Sequence, residues 1–272
     1  MSHFTVITVH KDGEDPTDIL APFQENNMGD CPEEYLEFER ELSMKEAIEL
    51  KEQTIAKMKQ RLAEGGFVKP EDLKDWQKNK PGDQIRDTDL WLKKYIPIYE
   101  QMSVKEFITE AEGYAWDEEQ QGFGYMTNPN SRWDWYQMGG RWRGYFKPKE
   151  GATSGVLGES GVFDNDPKHP SYVDQIRFDE IDFEGMKKDG AKEAEKTWQK
   201  YLREKRAKKD AFWYGIPKRM TKKEYIEKQS DWAPFAFINK EGMWCEEYDN
   251  EFAKFVQSLE PDDILTLWDC HV

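Results

Sequence analysis

The sequence predicts an α+β fold, with a central antiparallel or mixed sheet formed by the N- and C-terminal strands and a hairpin, together with several helices. Three observations carry this prediction. Runs rich in β-branched and aliphatic residues stand at both ends, over 3–10 and 263–271. Capping boxes mark three helix starts, Ser43 with Glu46, Ser103 with Glu106 and Thr221 with Glu224. The segment 113–172 is dense in Gly, Asn, Trp and Tyr and poor in helix formers, a composition of short strands and ordered loops.

Taken in order, residues 3–10 read as a buried strand ended by the turn Lys11–Asp15, and Ile19–Phe23 is a short apolar patch. Residues 33–63 place charged and apolar side chains at helical spacing, with a helix opening near 44 and stopping at Gly65-Gly66. The stretch to about 90 carries Pro70, Pro81 and Gly82 and reads as a loop or a short helix. The second capping box opens a helix to about 112. Residues 183–209 form one long charged helix after Asp182, and its end, Lys200 to Lys209, is the most basic segment of the chain. The third box opens a helix to 229. Residues 233–238 and 243–248 flank Asn239–Gly242 as a hairpin. Asp249 starts a helix to about 258, Pro261 ends it, and 263–271 is a final buried strand. The pattern is one α+β domain over 1–272 with a helical insertion at about 33–112.

Composition narrows the function classes. A chain of 272 residues can bury a substantial core. With 11 Trp and 35% charged residues, it reads as a globular protein with large aromatic anchors and a heavily solvated surface. A formal net charge of −16 repels nucleic-acid backbones and argues against a duplex-binding partner. Three cysteines, Cys31, Cys245 and Cys270, stand without a CxxC or a Cys/His cluster, so neither a disulfide framework nor a zinc site is expected. The opening MSHFTVITVH has no basic leader, and no stretch reaches the length of a membrane span. The expectation is a cytoplasmic protein without membrane partner, metal or cofactor.

The sharpest feature is NPNSRWDWYQMGGRWRGYF at 128–146. Indole and phenol faces stack on nucleobases, worth about 1–3 kcal/mol per base. Guanidinium groups grip phosphate as planar forks. Glycines let backbone N–H groups approach an anion. Trp133, Trp135, Tyr136 and Trp142 are therefore candidate stacking residues. Arg132, Arg141 and Arg143 are candidate phosphate contacts, and Gly139 with Gly140 is a candidate close-approach turn. Asp134 or Asn130 is suited to accept from a base's exocyclic amine. If one strand ran through this stretch, Trp133 and Trp135 would share a face opposite Arg132 and Asp134. No P-loop and no dinucleotide-binding glycine fingerprint is present.

The histidines form a second group. His3-Phe4-Thr5-Val6 and His169-Pro170-Ser171-Tyr172 both match the short H-x-[ST]-apolar pattern of two-histidine phosphoesterases, in which one histidine serves as base and the other as acid. At the other end, Asp269 and His271 share a face of the last strand. If that strand pairs with the first, His3 approaches His271. No nucleophile triad, HExxH or EF-hand loop occurs.

SHFTV near the start, NPNSRWDWYQMGGRW in the centre, DFEGM at 182–186 and DCHV at 269–272 together resemble a large family of phage and prophage proteins. Residues 35–100 lie outside the resemblance. The likeness extends to the anti-CBASS sponge proteins of phages, oligomers that sequester cyclic dinucleotide immune signals without cleaving them. It implies a nucleotide ligand, a homo-oligomer, no catalytic residue and a place in the host cytoplasm. Two other functions fit the residues: a phosphodiesterase using His3 as acid or base, and an acidic inhibitor of a host nuclease or defence complex.

Overall fold

The computed structural model describes residues 2–64, 89–161, 169–207, 216–217, 219–230, 232–248 and 250–272, and divides into two compact units, Met1–Tyr35 with Asn130–Val272, and Leu36–Pro129. Strands and helices are numbered in chain order over both. The larger unit holds β1 (His3–His10), α1 (Pro16–Leu20), β5 (Trp135–Gly140), β6 (Glu159–Ser160), β7 (Gln175–Arg177), α5 (Phe183–Arg206), α6 (Lys222–Gln229), β8 (Ala236–Ile238), β9 (Trp244–Glu246), α7 (Glu251–Val256) and β10 (Ile264–His271). The smaller unit holds β2 (Glu37–Ser43), α2 (Met44–Ala63), α3 (Asp89–Gln101), α4 (Val104–Ala111), β3 (Ala115–Asp117) and β4 (Gly122–Thr127). The fold is α+β.

In the larger unit the strands form a seven-stranded mixed sheet ordered β6-β5-β10-β1-β8-β9, with β7 also on β10. β1 and β10 pair antiparallel over their whole length, β8 lies parallel to β1, and β8 with β9 is the expected hairpin. Both central strands bury both faces, which explains their nearly continuous apolar runs. On one face Val6, Trp268, Cys270, Ala236 and Ile238 pack with Leu20, Phe23 and Trp133. On the other, Ile7, Val9, Leu265, Leu267 and Phe237 pack with Phe146, Ile176, Phe252 and Phe255. Ile7, Val9, Phe237, Leu265 and Leu267 all occupy odd positions of β1, β8 or β10, the period-two signature of a strand.

Among the described residues the smaller unit is a three-stranded antiparallel sheet, β2-β4-β3, with three helices and a core that includes Leu92, Phe107, Ile108 and Phe123. Ser43 opens α2 and Ser103 opens α4 through complete capping boxes, as the sequence predicts. Residues 37–43 depart from the helical reading of 33–63. EFERELS becomes a strand because β4 pairs along it, with a register shift between Arg40 and Leu42. The stop at Gly65-Gly66 and the loop carrying Pro70, Pro81 and Gly82 lie outside the described residues, as do Asp249 and the Lys208-Lys209 end of the basic segment.

Candidate functional site

Strand register assembles a polar patch at one end of the sheet. His3 is directly opposite His271, and His271 is directly opposite Trp135. One step inward, Thr5 is opposite Asp269, and Asp269 is opposite Gln137. Directly paired residues project from the same face, and so do residues two apart on one strand. Six side chains from β1, β10 and β5 therefore form two rows on one face. Along the same strands, that face continues into the apolar set of Ile7, Leu265 and Leu267.

Two histidine–aspartate pairs dominate this patch. His3 Nδ1 lies 2.7 Å from Asp269 Oδ1, and His271 Nδ1 lies 2.6 Å from Asp134 Oδ1. An ionised carboxylate only accepts hydrogen bonds, so each contact places a proton on Nδ1 and leaves Nε2 for other chemistry. The two rings meet edge to face with centroids 5.0 Å apart, and Trp135 stands 6.0 Å from His3. The imidazoles are 17% and 15% exposed, and the Trp135 residue is 42% exposed. Neither Nε2 has a hydrogen-bond partner among the described residues.

Asp269 is fully buried and is shared between the strand and a loop. Its Oδ2 accepts the backbone N–H of Arg141 at 2.8 Å, while Oδ1 accepts from His3. Gly140 makes this approach feasible. Its φ is +53°, and a Cβ there would stand 2.3 Å from Asp269 Oδ2. The second anchor of the loop is Asp174, also fully buried. It accepts from Gly144 N at 2.7 Å, Tyr145 N at 3.2 Å and Gly158 N at 2.9 Å. Burial pushes the Asp174 carboxyl above its ordinary range, against the pull of those three N–H groups. Gly139, with φ +81°, leaves room for the same carboxylate.

The structure sorts the candidate residues of 128–146. Trp135 is the half-exposed indole beside the histidines. Trp133 is a core residue, 2% exposed, with its indole N–H donated to the Leu20 carbonyl at 3.2 Å. The shared face expected for Trp133 and Trp135 is not formed. β5 begins only at Trp135, and Trp133 instead bridges to Gln24 and packs on the opposite side of the sheet with Tyr136. Tyr136 is half-buried between Trp133 and Trp268, and burial with nearby Asp15 raises its phenol pKa. Trp142 is half-buried against the other core face. Arg143 donates Nε to the Gly158 carbonyl at 2.7 Å. Arg132 and Arg141 are exposed, and Arg132 donates to the neighbouring Ser131 carbonyl.

His3 and His271 come together as the strand pairing predicts. His169 packs its ring on Tyr172 at 4.4 Å, so the second histidine beside His3 is His271. Asp174 was not legible as a functional support, because nothing in its spacing marks a residue that holds a loop some thirty positions earlier. Among the described residues, the one group of three acids at metal-ligand spacing is Glu260, Asp262 and Asp263. The Lys11 ammonium contacts all three, and Lys240 adds a second cation on Asp263. No described helix is long and apolar enough to cross a membrane. No family model, curated protein or solved structure matches the chain.

Proposed function

We propose that the His3–His271–Trp135 face binds a nucleotide through its phosphate and sequesters it. The observation that carries this reading is the pair of facing imidazoles, each with a carboxylate on Nδ1. In its charged form an imidazole so held presents one remaining donor, Nε2–H, and a phosphate oxygen is its natural acceptor. Trp135 supplies a half-exposed indole for a base, worth about 1–3 kcal/mol if stacked. Arg141, exposed and tied by its backbone N–H to Asp269, supplies a nearby planar cation. The resemblance to phage sponge proteins selects cyclic dinucleotides as the first ligands to test. It also extends the proposal to a homo-oligomer acting in the host cytoplasm against an immune signal.

One observation favours a second reading, phosphodiester hydrolysis. The same Nδ1 contacts fix the tautomer of both rings, as a general acid–base pair requires. In that reaction His3 Nε2 takes a proton from the attacking water as it bonds to phosphorus. His271 Nε2–H gives a proton to the departing ester oxygen.

Incubating the protein with cyclic and linear nucleotides, removing unbound ligand, denaturing and chromatographing the released material separates the readings. Intact ligand retained by the protein supports sequestration. Products that disappear with His3→Ala support hydrolysis. Neither retention nor products overturns both.

A further inference from the structure

A cavity of about 140 Å³ lies in the larger unit between the loop after β5, the start of the β7 region and the ends of α5 and α6. Trp142, Tyr145, Tyr172 and Trp232 supply its aromatic lining, with His169 and Gln229 beside them. The rings are held from behind. Trp232 stacks on Phe183 with centroids 4.5 Å apart and meets Phe252 edge-on at 5.2 Å. Tyr145 donates its hydroxyl to the Trp232 carbonyl, and Tyr172 donates its hydroxyl to Asp189 Oδ2 at 3.0 Å. Both phenol groups are thus committed to the protein, and their rings remain as walls.

Gly190, in the second turn of α5, permits the close approach of the C-terminal end of α6 at Ser230 beside this space. A glycine in a helix interior costs about 1 kcal/mol against alanine. Here a Cβ would stand 3.2 Å from the Ser230 Cα, tighter than ordinary packing allows. The size fits one flat ring, since an apolar cavity of about 150 Å³ accepts benzene.

The chemistry of the lining narrows the ligand further. His169, the Trp142 indole N–H and the Gln229 amide make no side-chain hydrogen bond among the described residues. They add donors and acceptors to a lining that is otherwise largely aromatic. An organic cation is the other guest that aromatic walls attract. Such a site gains from a free carboxylate, and among the described residues the one bonded to a lining phenol, Asp189, is already neutralised. Asp189 is held by Lys147 at 2.6 Å and Lys192 at 3.0 Å, and those contacts keep its carboxyl well below the usual range. A neutral heteroaromatic ring with a polar edge fits better.

We infer that this cavity is a binding pocket for a nucleobase. The inference goes beyond the phosphate site and does not rest on it, because its residues and its probe are different. The probe is a set of nucleosides, which carry no phosphate: adenosine, guanosine, cytidine and uridine. Calorimetry of the full chain is expected to detect binding of at least one, with quenching of tryptophan emission. The affinity should fall at least tenfold in Trp142→Ala and in His169→Ala. Among the described residues His169 has Tyr172 as its one ring partner, so its replacement should leave the fold intact, which circular dichroism verifies. Absence of binding by every nucleoside at millimolar concentration overturns the inference. So does unchanged affinity in both variants, or binding of benzyltrimethylammonium with no nucleoside binding. His3→Ala should leave nucleoside affinity unchanged, so failure at this pocket is separable from failure at the histidine pairs.

Discussion

Replacing Gly140 by alanine tests the join between the loop and the histidine pair. Two costs are separable. The residue has φ +53°, and an L side chain in the left-handed region costs about 1–2 kcal/mol. Its Cβ would also stand 2.3 Å from Asp269 Oδ2 and 2.4 Å from Asp269 Cβ. Asp269 is fully buried and cannot swing away, so the Arg141 N–H contact at 2.8 Å must open. A hydrogen bond to a charged group contributes about 1.5–3 kcal/mol. Gly140→Ala should therefore destabilise by about 2.5–5 kcal/mol in total. Gly151→Ala is the control, since φ there is +84° with nothing within 4 Å, so only the backbone cost of about 1–2 kcal/mol applies. Urea unfolding followed by tryptophan emission reads both variants. Equal destabilisation of the two would refute the claim that Gly140 exists to admit the Asp269 carboxylate. The His3 ring resonances, read by NMR, should shift in Gly140→Ala and stay in place in Gly151→Ala.

Three further outcomes follow from the same geometry. Asp174→Ala strands three N–H groups, and at about 1–3 kcal/mol per buried unsatisfied donor the loss should reach at least about 3 kcal/mol in urea unfolding. Trp133→Ala empties a core position and frees the Leu20 carbonyl, so a loss of about 3–5 kcal/mol is expected, and a surface-like loss below about 0.5 kcal/mol would contradict its burial. Glu180 is held down to about 2 by the Ser154 hydroxyl, then by the Ser154 and Thr153 N–H groups. Its folded pKa is below the unfolded value of about 4.3, so its stabilisation is present above that pH and fades as pH falls toward 2. Acid titration should therefore cost the wild type more stability across that window than Glu180→Gln, and parallel curves would contradict the assignment.

The sequence carried those parts of the fold that are written locally. Ser43, Ser103 and Thr221 each open a helix because the cap and its glutamate partner lie within four residues. The meeting of His3 with His271 followed from one assumption, that the first and last strands pair. What escaped depends on distant partners. EFERELS fits both a helical and an alternating period, and pairing with β4 decides between them. Alternation placed Trp133 beside Trp135, but the strand starts after Trp133, and Leu20 and Gln24 draw that residue to the other side. The sequence offers Asp134 or Asn130 as an acceptor for a base, and in the structure the Asp134 carboxylate orients His271. The sequence offers Arg143 as a phosphate contact, and the structure adds a support that spacing does not show, its Nε bond to the Gly158 carbonyl.

In the proposed site the paired histidines contact the phosphate of a nucleotide. Calorimetric titration of cyclic dinucleotides, linear dinucleotides and mononucleotides into the wild type, His3→Ala and His271→Ala addresses this contact most directly. At least one of these ligands should bind the wild type, and each single replacement should weaken that binding at least tenfold. Wild-type affinity in both variants, or no binding by any nucleotide, would contradict the contact.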